Sequence, residues 1–244
     1  MSKSDKTVVI TGATSGIGLG LAQRFLKDGY NVVGTGRSRA RLEQTAALLD
    51  AGERFLPLAG GVAEPGVAKA VFASAIAAFG HVDVLVNNAG IFAAKPFVDF
   101  TPDEIDEQID TNLKGTLYFS QEAGRHMSER RAGRIINITA AVAMQANTAV
   151  PALMAAVLKG GLNQATRALA LELAPFGVTV NAVAPGVVDT PMHPAATHEA
   201  LSRIHPLGRI AKVEEIAAAV AYLVNGAFVT GTVLPVDGGY SAGR

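Results

Sequence analysis

The residues of this chain that can do chemistry fall into groups, and the first group suits phosphate. Thr11-Gly12-Ala13-Thr14-Ser15-Gly16-Ile17-Gly18 follows an apolar run and opens an amphipathic one, the context in which a glycine cluster carries meaning. Glycine lets the backbone approach a pyrophosphate, and a helix N-terminus supplies amides and a partial positive charge. A tight strand-to-helix turn without a ligand is the plainer alternative. A second turn, Asn87-Asn88-Ala89-Gly90, follows Val84-Leu85-Val86. Alone it would be only a turn, because asparagine and glycine favour positive φ. A third stretch, Gly34-Thr35-Gly36-Arg37-Ser38-Arg39, ends another β-branched run and contains no acid. An acid there would hold a ribose 2′-hydroxyl, whereas Arg37 can meet a 2′-phosphate as a fork. That favours NADP(H) over NAD(H), the alternative being a solvated arginine at a helix start.

Short β-branched runs alternate with longer alanine-rich amphipathic segments. Strands are expected at Thr7–Thr11, Tyr30–Thr35, Arg54–Leu58, Val82–Asn87, Arg134–Ile138, Val178–Ala184 and Val233–Val236. Helices are expected at Gly16–Asp28, Ala40–Leu49, Pro65–Phe79 (opened by its proline), Pro102–Met127 (capped by Thr101), Pro151–Leu173 and Val213–Leu223. Strands buried on both faces and alternating with helices predict an α/β fold, a doubly wound Rossmann-type parallel sheet of about seven strands, with its ligand at the strands' carboxyl ends. Residues 1–244 are expected to form one domain.

Composition removes several classes of function. A hydrophobic fraction of 49% with 17% charged residues supports a large core and argues against disorder. Lys and Arg number 21, as do Asp and Glu, so no basic face for nucleic acid is advertised. The absence of cysteine removes disulfides, thiol nucleophiles and thiolate metal sites. The start, Met1-Ser2-Lys3-Ser4-Asp5-Lys6, is polar and unlike a signal peptide. No apolar run approaches the ~20 residues of a spanning helix, so a cytoplasmic protein away from membranes is expected.

The spacing Gly-x-x-x-Gly-x-Gly at Gly12, Gly16 and Gly18, the Asn87–Gly90 turn, and Pro185-Gly186-Val187-Val188-Asp189-Thr190-Pro191-Met192 after the sixth strand together resemble the short-chain dehydrogenase/reductase family. Phe228-Val229-Thr230-Gly231 and Val236-Asp237-Gly238-Gly239 extend the resemblance, which runs from Thr7 to Gly239. It implies a nicotinamide dinucleotide held by Gly12, Thr14, Ser15, Gly16, Ile17 and Gly18, bordered by Asn88, Ala89 and Gly90, with Pro185, Gly186, Val188 and Thr190 towards the nicotinamide. It also implies a small-molecule substrate, covered by a segment at about 187–212, and a homotetramer (or dimer) built on the two long helices and the C-terminal segment. Family members usually carry an aspartate where this chain has Gly61, so adenine recognition is expected to be weaker or water-mediated.

The family's catalytic set is Asn, Ser, Tyr and Lys, and here it is incomplete. Asn112 matches the asparagine and Lys159 the lysine, which also holds the ribose. The serine place falls on Ala140 and the tyrosine place on Ala155, one helical turn before Lys159. Thr139, beside Ala140, is expected to point elsewhere. No tyrosine lies within thirty residues of Lys159 in either direction. General acid catalysis contributes about 10²–10⁴-fold and an oxyanion-type donor about 10²–10³-fold, so ordinary ketone reduction without both would be slow. An iminium substrate would bring its own proton. His193, on the substrate segment, can replace the tyrosine, although a loop histidine is often a bystander. Lys159 can act through a water in the space at Ala155. The remaining reading is a nucleotide-binding protein without turnover, in which Asn112 is a structural amide and Lys159 only a ribose clamp. His193, His198 and His205 are spaced too irregularly to suggest a metal site.

Overall fold

The computed structural model describes residues 6–148 and 150–243. The polar start at 1–5 and one position of the Ala140–Ala149 loop lie outside the described residues.

Seven parallel strands form a single sheet in the order β3-β2-β1-β4-β5-β6-β7. They are β1 (Thr7–Ile10), β2 (Asn31–Gly36), β3 (Phe55–Ala59), β4 (Val84–Asn87), β5 (Gly133–Ile138), β6 (Val178–Pro185) and β7 (Val233–Val236). Side chains of a strand alternate between the two faces, and here each face is buried in its own cluster. Val8, Ile10, Val84, Val86 and Ile136 pack against Leu21, Phe25, Ile216 and Val220. Val9, Leu85 and Ile135 pack on the other side against Phe72, Phe119, Met127 and Leu173. The first group of partners comes from α1 (Gly16–Lys27) and α8 (Val213–Asn225), and the second from α3 (Val67–Phe79), α5 (Gly115–Arg130) and α6 (Leu153–Leu173). Burial on both faces explains why the strands read as continuous apolar runs. The remaining α-helices among the described residues are α2 (Arg39–Leu49), α4 (Pro102–Gln108) and α7 (His198–Ser202).

The strand order reverses direction between β1 and β4, and there the carboxyl ends open a crevice. Thr11 clamps it: its Oγ1 accepts the amides of Asn88 and Ala89, both at 3.0 Å. Asn88 in turn donates to the carbonyls of Thr11 (2.9 Å) and Gly12 (3.1 Å). A buried amide chain fixes the other side. Asn87 donates to Asn137 and Asn137 to Thr166, each at 2.9 Å. Thr166 lies on α6 two turns beyond Lys159, so this chain locks the helix that carries Lys159 and Ala155 to the sheet.

Three of the expected helices differ in their start or their continuity. The third begins at Val67, not Pro65, because Gly66 takes a φ of 88° and Glu64 folds back to accept the Gly61 amide at 2.9 Å. The segment 102–127 is not one α-helix. Thr101 caps α4 with a reciprocal bond to Glu104, but Ile109–Lys114 forms a π-turn before α5. Such turns insert one residue and re-aim side chains, often at functional sites. The residue re-aimed here is Asn112. The sixth helix begins at Leu153, two residues after Pro151, and the segment around 190–205 is more ordered than a loop, carrying α7.

Candidate active site

One cavity of about 1120 Å³ occupies the crevice, and it collects nearly every residue singled out in the sequence. One end of it is the β1–α1 turn, where the sequence expects phosphate. Gly16 has a φ of 52°, open to glycine at little cost. A Cβ on Gly18 would collide with the Gly12 carbonyl oxygen and stand 2.5 Å from Asn88 Nδ2. Gly18 is thus behind the cavity wall, holding α1 against the Asn88 turn, while Gly12, Thr14, Ser15, Gly16 and Ile17 line it. Ser15 caps α1 without a side-chain bond, and the helix has no acid in its first turn. The first-turn amides therefore face the cavity as a ready anion site.

Beside that turn stands Arg37, largely exposed and 3.9 Å from Glu107. At that distance and exposure the pair contributes little, and the guanidinium is available to the cavity. Ser38 and Arg41 line the same end, two polar residues to which the sequence assigned no role. Ser38 also accepts the Arg41 amide at 3.3 Å, starting α2. Glu64 reaches this end of the cavity as well. Its carboxylate occupies the space that a side chain on Gly61 would fill.

The opposite end holds Asn112 and Lys159. Asn112 is buried, accepting the Ile91 amide and donating to the Ile91 carbonyl, both at 3.0 Å. Lys159 donates to the Ile138 carbonyl at 2.9 Å. A Cβ on Gly90 would stand 2.8 Å from Asn112 Oδ1 and 3.3 Å from Lys159 Nζ, so Gly90 is the point on which both side chains converge. Burial lowers the Lys159 amine from 10.5 to about 8, because no carboxylate offsets the lost solvation.

Around this pair the wall is apolar. Ala140 and Ala155 both line the cavity, as do Val142 and Val150. Thr139 also lines the cavity, with its hydroxyl committed to the Val183 carbonyl at 3.3 Å. Pro185, Gly186, Val188, Thr190 and His193 line the cavity from the β6 side, and Thr190 rests close above Gly16. His193 Nδ1 lies 3.0 Å from the Val188 carbonyl. A carbonyl can only accept, so Nδ1 carries the proton and Nε2 is left to exchange one.

Two further residues had no assigned role in the sequence beyond the place of His205 in the covering segment. Tyr240 and His205 line the cavity from the C-terminal segment and the end of the cover, their rings 6.1 Å apart. Tyr240 reaches the site because β7 pairs with β6, a juxtaposition that no local spacing reveals. Its hydroxyl oxygen is buried out of reach of a substrate. No group of three His, Asp or Glu among the described residues could hold a metal ion.

This architecture has close parallels. A family model described as enoyl-(acyl carrier protein) reductase matches residues 12–241. The chain is 36% identical to the 3-oxoacyl-[acyl-carrier-protein] reductase FabG of Salmonella typhimurium, over 98% of both chains. Among solved structures, ElxO with NADP bound superposes with a TM-score of 0.92 at 28% identity, covering 98% of this chain and 99% of that one. The 3-ketoacyl-(acyl-carrier-protein) reductase from Brucella melitensis complexed with NADH gives 0.91 at 32% identity, covering 98% of this chain and all of the other.

Proposed function

The chain belongs to the short-chain dehydrogenase/reductase family, and on that premise we propose that it is an NADP(H)-dependent oxidoreductase with a non-standard proton donor. Its substrate is a small carbonyl, alcohol or imine-type compound with an apolar body. When bound, the nicotinamide supplies or accepts hydride. The observation that carries this reading is the convergence of Asn112 and Lys159 on Gly90, inside the same cavity as an acid-free helix N-terminus. The glycine turn holds the pyrophosphate, and Arg37 with Ser38 and Arg41 meets the 2′-phosphate. Lys159 holds the nicotinamide ribose, and Thr190 with Val188 borders the nicotinamide. The named neighbours hold either NADP or NADH, so the preference rests on Arg37 and on the missing acid after β2.

In this reading Ala140 and Ala155 stand in the serine and tyrosine places, and His193 exchanges the proton through Nε2. Its Nδ1–H bond to the Val188 carbonyl fixes ring and tautomer, as a base-orienting acceptor does in other sites. The family's assembly supports a homotetramer. Leu117 and Tyr118 on α5 and Leu153 and Val157 on α6 are exposed apolar residues that such an interface would cover. No helix among the described residues is long and apolar enough to cross a membrane, which is compatible with a cytoplasmic location.

One observation favours a second reading, a nucleotide-binding protein without turnover: both polar groups of the Asn112 amide are already engaged by Ile91. NADPH oxidation with a panel of apolar ketones and cyclic imines separates the two. We expect turnover with at least one imine or ketone, lowered by about 10²-fold in His193→Ala with NADPH affinity unchanged. An unchanged rate removes His193 from the chemistry. NADPH binding without any turnover favours the second reading.

A further inference from the structure

We propose that His205 is a positioning residue: as a neutral imidazole it pins the cover of the cavity to the Pro185–Val188 segment, and cofactor affinity depends on that ring staying uncharged. The proposal rests on the reading that this cavity takes a nicotinamide dinucleotide.

His205 is almost fully buried, at 4% exposure, on a segment whose residues 191–204 and 206–210 are exposed or half-exposed. The Val187 amide donates to its Nε2 at 3.0 Å, and its Nδ1 lies 3.0 Å from the Leu201 carbonyl. An amide can only donate and a carbonyl can only accept. The roles of both nitrogens are therefore forced: Nδ1 carries the proton and Nε2 the lone pair. One ring thus ties the cover, at Leu201, to the strand end that faces the nicotinamide. The fit is close. A Cβ on Gly186 would stand 2.6 Å from Nε2, so a larger residue there would expel the imidazole. The seam continues on both sides, with the Ala211 amide on the Val187 carbonyl at 2.8 Å and the Leu207 amide on the Gly238 carbonyl at 3.0 Å. Val187, Leu201 and His205 all line the cavity.

A second proton on this ring would set an N–H against the Val187 N–H and replace a bond with a repulsion. The groups facing the ring decide when that happens. From the end of β7 comes Asp237, whose carboxylate accepts from the Gly239 and Ser241 amides and the Ser241 hydroxyl. It favours the imidazolium. Tyr240 presents its ring. On the cover, His193 and His198 are engaged with the carbonyls of Val188 and His193. Burial outweighs the Leu201 carbonyl bond and Asp237, which both favour the charged ring, and holds the His205 pKa below its ordinary value. The tie therefore stays intact at neutral pH and opens on the acid side.

NADPH fluorescence titrations from about pH 5 to pH 8 on the wild type, His205→Gln and His205→Ala test this. The glutamine amide oxygen can accept from Val187 where Nε2 does, and it does not titrate. At neutral pH the alanine variant is expected to bind NADPH about tenfold more weakly, and glutamine to restore most of the loss. On acidification the wild type is expected to lose about tenfold more affinity than His205→Gln. The 2′-phosphate titrates alike in both, so the difference isolates the ring. Identical pH profiles for wild type and His205→Gln, with NADPH bound at neutral pH, overturn the proposal alone. Failure of the wild type to bind NADPH at any pH overturns the cofactor reading and the proposal with it. Comparison of wild type with glutamine decides the matter even if the alanine variant does not fold.

Discussion

Tyrosine at position 155 together with serine at 140 is expected to raise NADPH-dependent ketone reduction by about 10²–10⁴-fold or more. The backbone that would carry them is already in place. Ala155 lies on α6 one turn before Lys159, facing the cavity, and Ala140 follows the end of β5 on the same wall. A phenol at 155 would stand beside the Lys159 ammonium, which lowers a phenol's pKa by favouring its charged form. The α6 register that sets this geometry is held by the Asn87–Asn137–Thr166 chain and does not depend on residue 155. Ala155→Tyr alone should supply most of the gain, and Ala140→Ser should add the polarising donor. Steady-state NADPH oxidation with a cyclic ketone measures it. No gain in a double variant that still binds NADPH would show that these are not the acid and donor positions.

Lys159→Met is expected to make the protein more stable and a poorer cofactor binder at once. Lys159 is half-buried at the cavity wall and no carboxylate among the described residues compensates its amine, so folding strains its charged form. The folded-state pKa is about 8 against an ordinary 10.5. The penalty is fully present below about pH 8 and vanishes above about 10.5, where folded and unfolded chains both hold a neutral amine. At neutral pH its removal is expected to stabilise by about 1–2 kcal/mol, after allowing for the lost bond to Ile138. That corresponds to a thermal midpoint several degrees higher. NADPH affinity should fall by about tenfold or more, because a charge-assisted donor to the ribose is gone. Calorimetry and a fluorescence titration on the same preparation read both effects. A lower midpoint would show that the ammonium braces the fold; unchanged affinity would remove it from the cofactor site.

Much of the fold was legible because burial on both faces writes itself into the strands. Val8-Val9-Ile10 and Val84-Leu85-Val86 could only be central strands of a covered parallel sheet. The glycine turn was legible for the same local reason, since Gly16 and Gly18 each answer a constraint within their own turn or its immediate neighbour. The break in the segment 102–127 was not. An apolar period near 3.6 looks the same on either side of a π-turn, and only Asn112's bonds to Ile91, twenty-one residues away, reveal the extra residue. The start of α3 was misplaced because proline at a first helical position is a good general rule, here overridden by Gly66 and the returning Glu64 carboxylate. Tyr240 was illegible as a cavity residue, and His205 was legible only as part of the cover. They reach the site through β7 pairing with β6 and through the folding of the cover, neither of which leaves a short-range spacing.

The proposed function requires that this chain keep the cofactor half of a short-chain oxidoreductase while the acid half is changed. The most direct test is a fluorescence titration of the wild-type protein with NADPH and, in parallel, NADH. Saturable binding of NADPH is expected, with NADH weaker by about tenfold for want of the Arg37–phosphate contact. Saturable binding of neither nucleotide would contradict it.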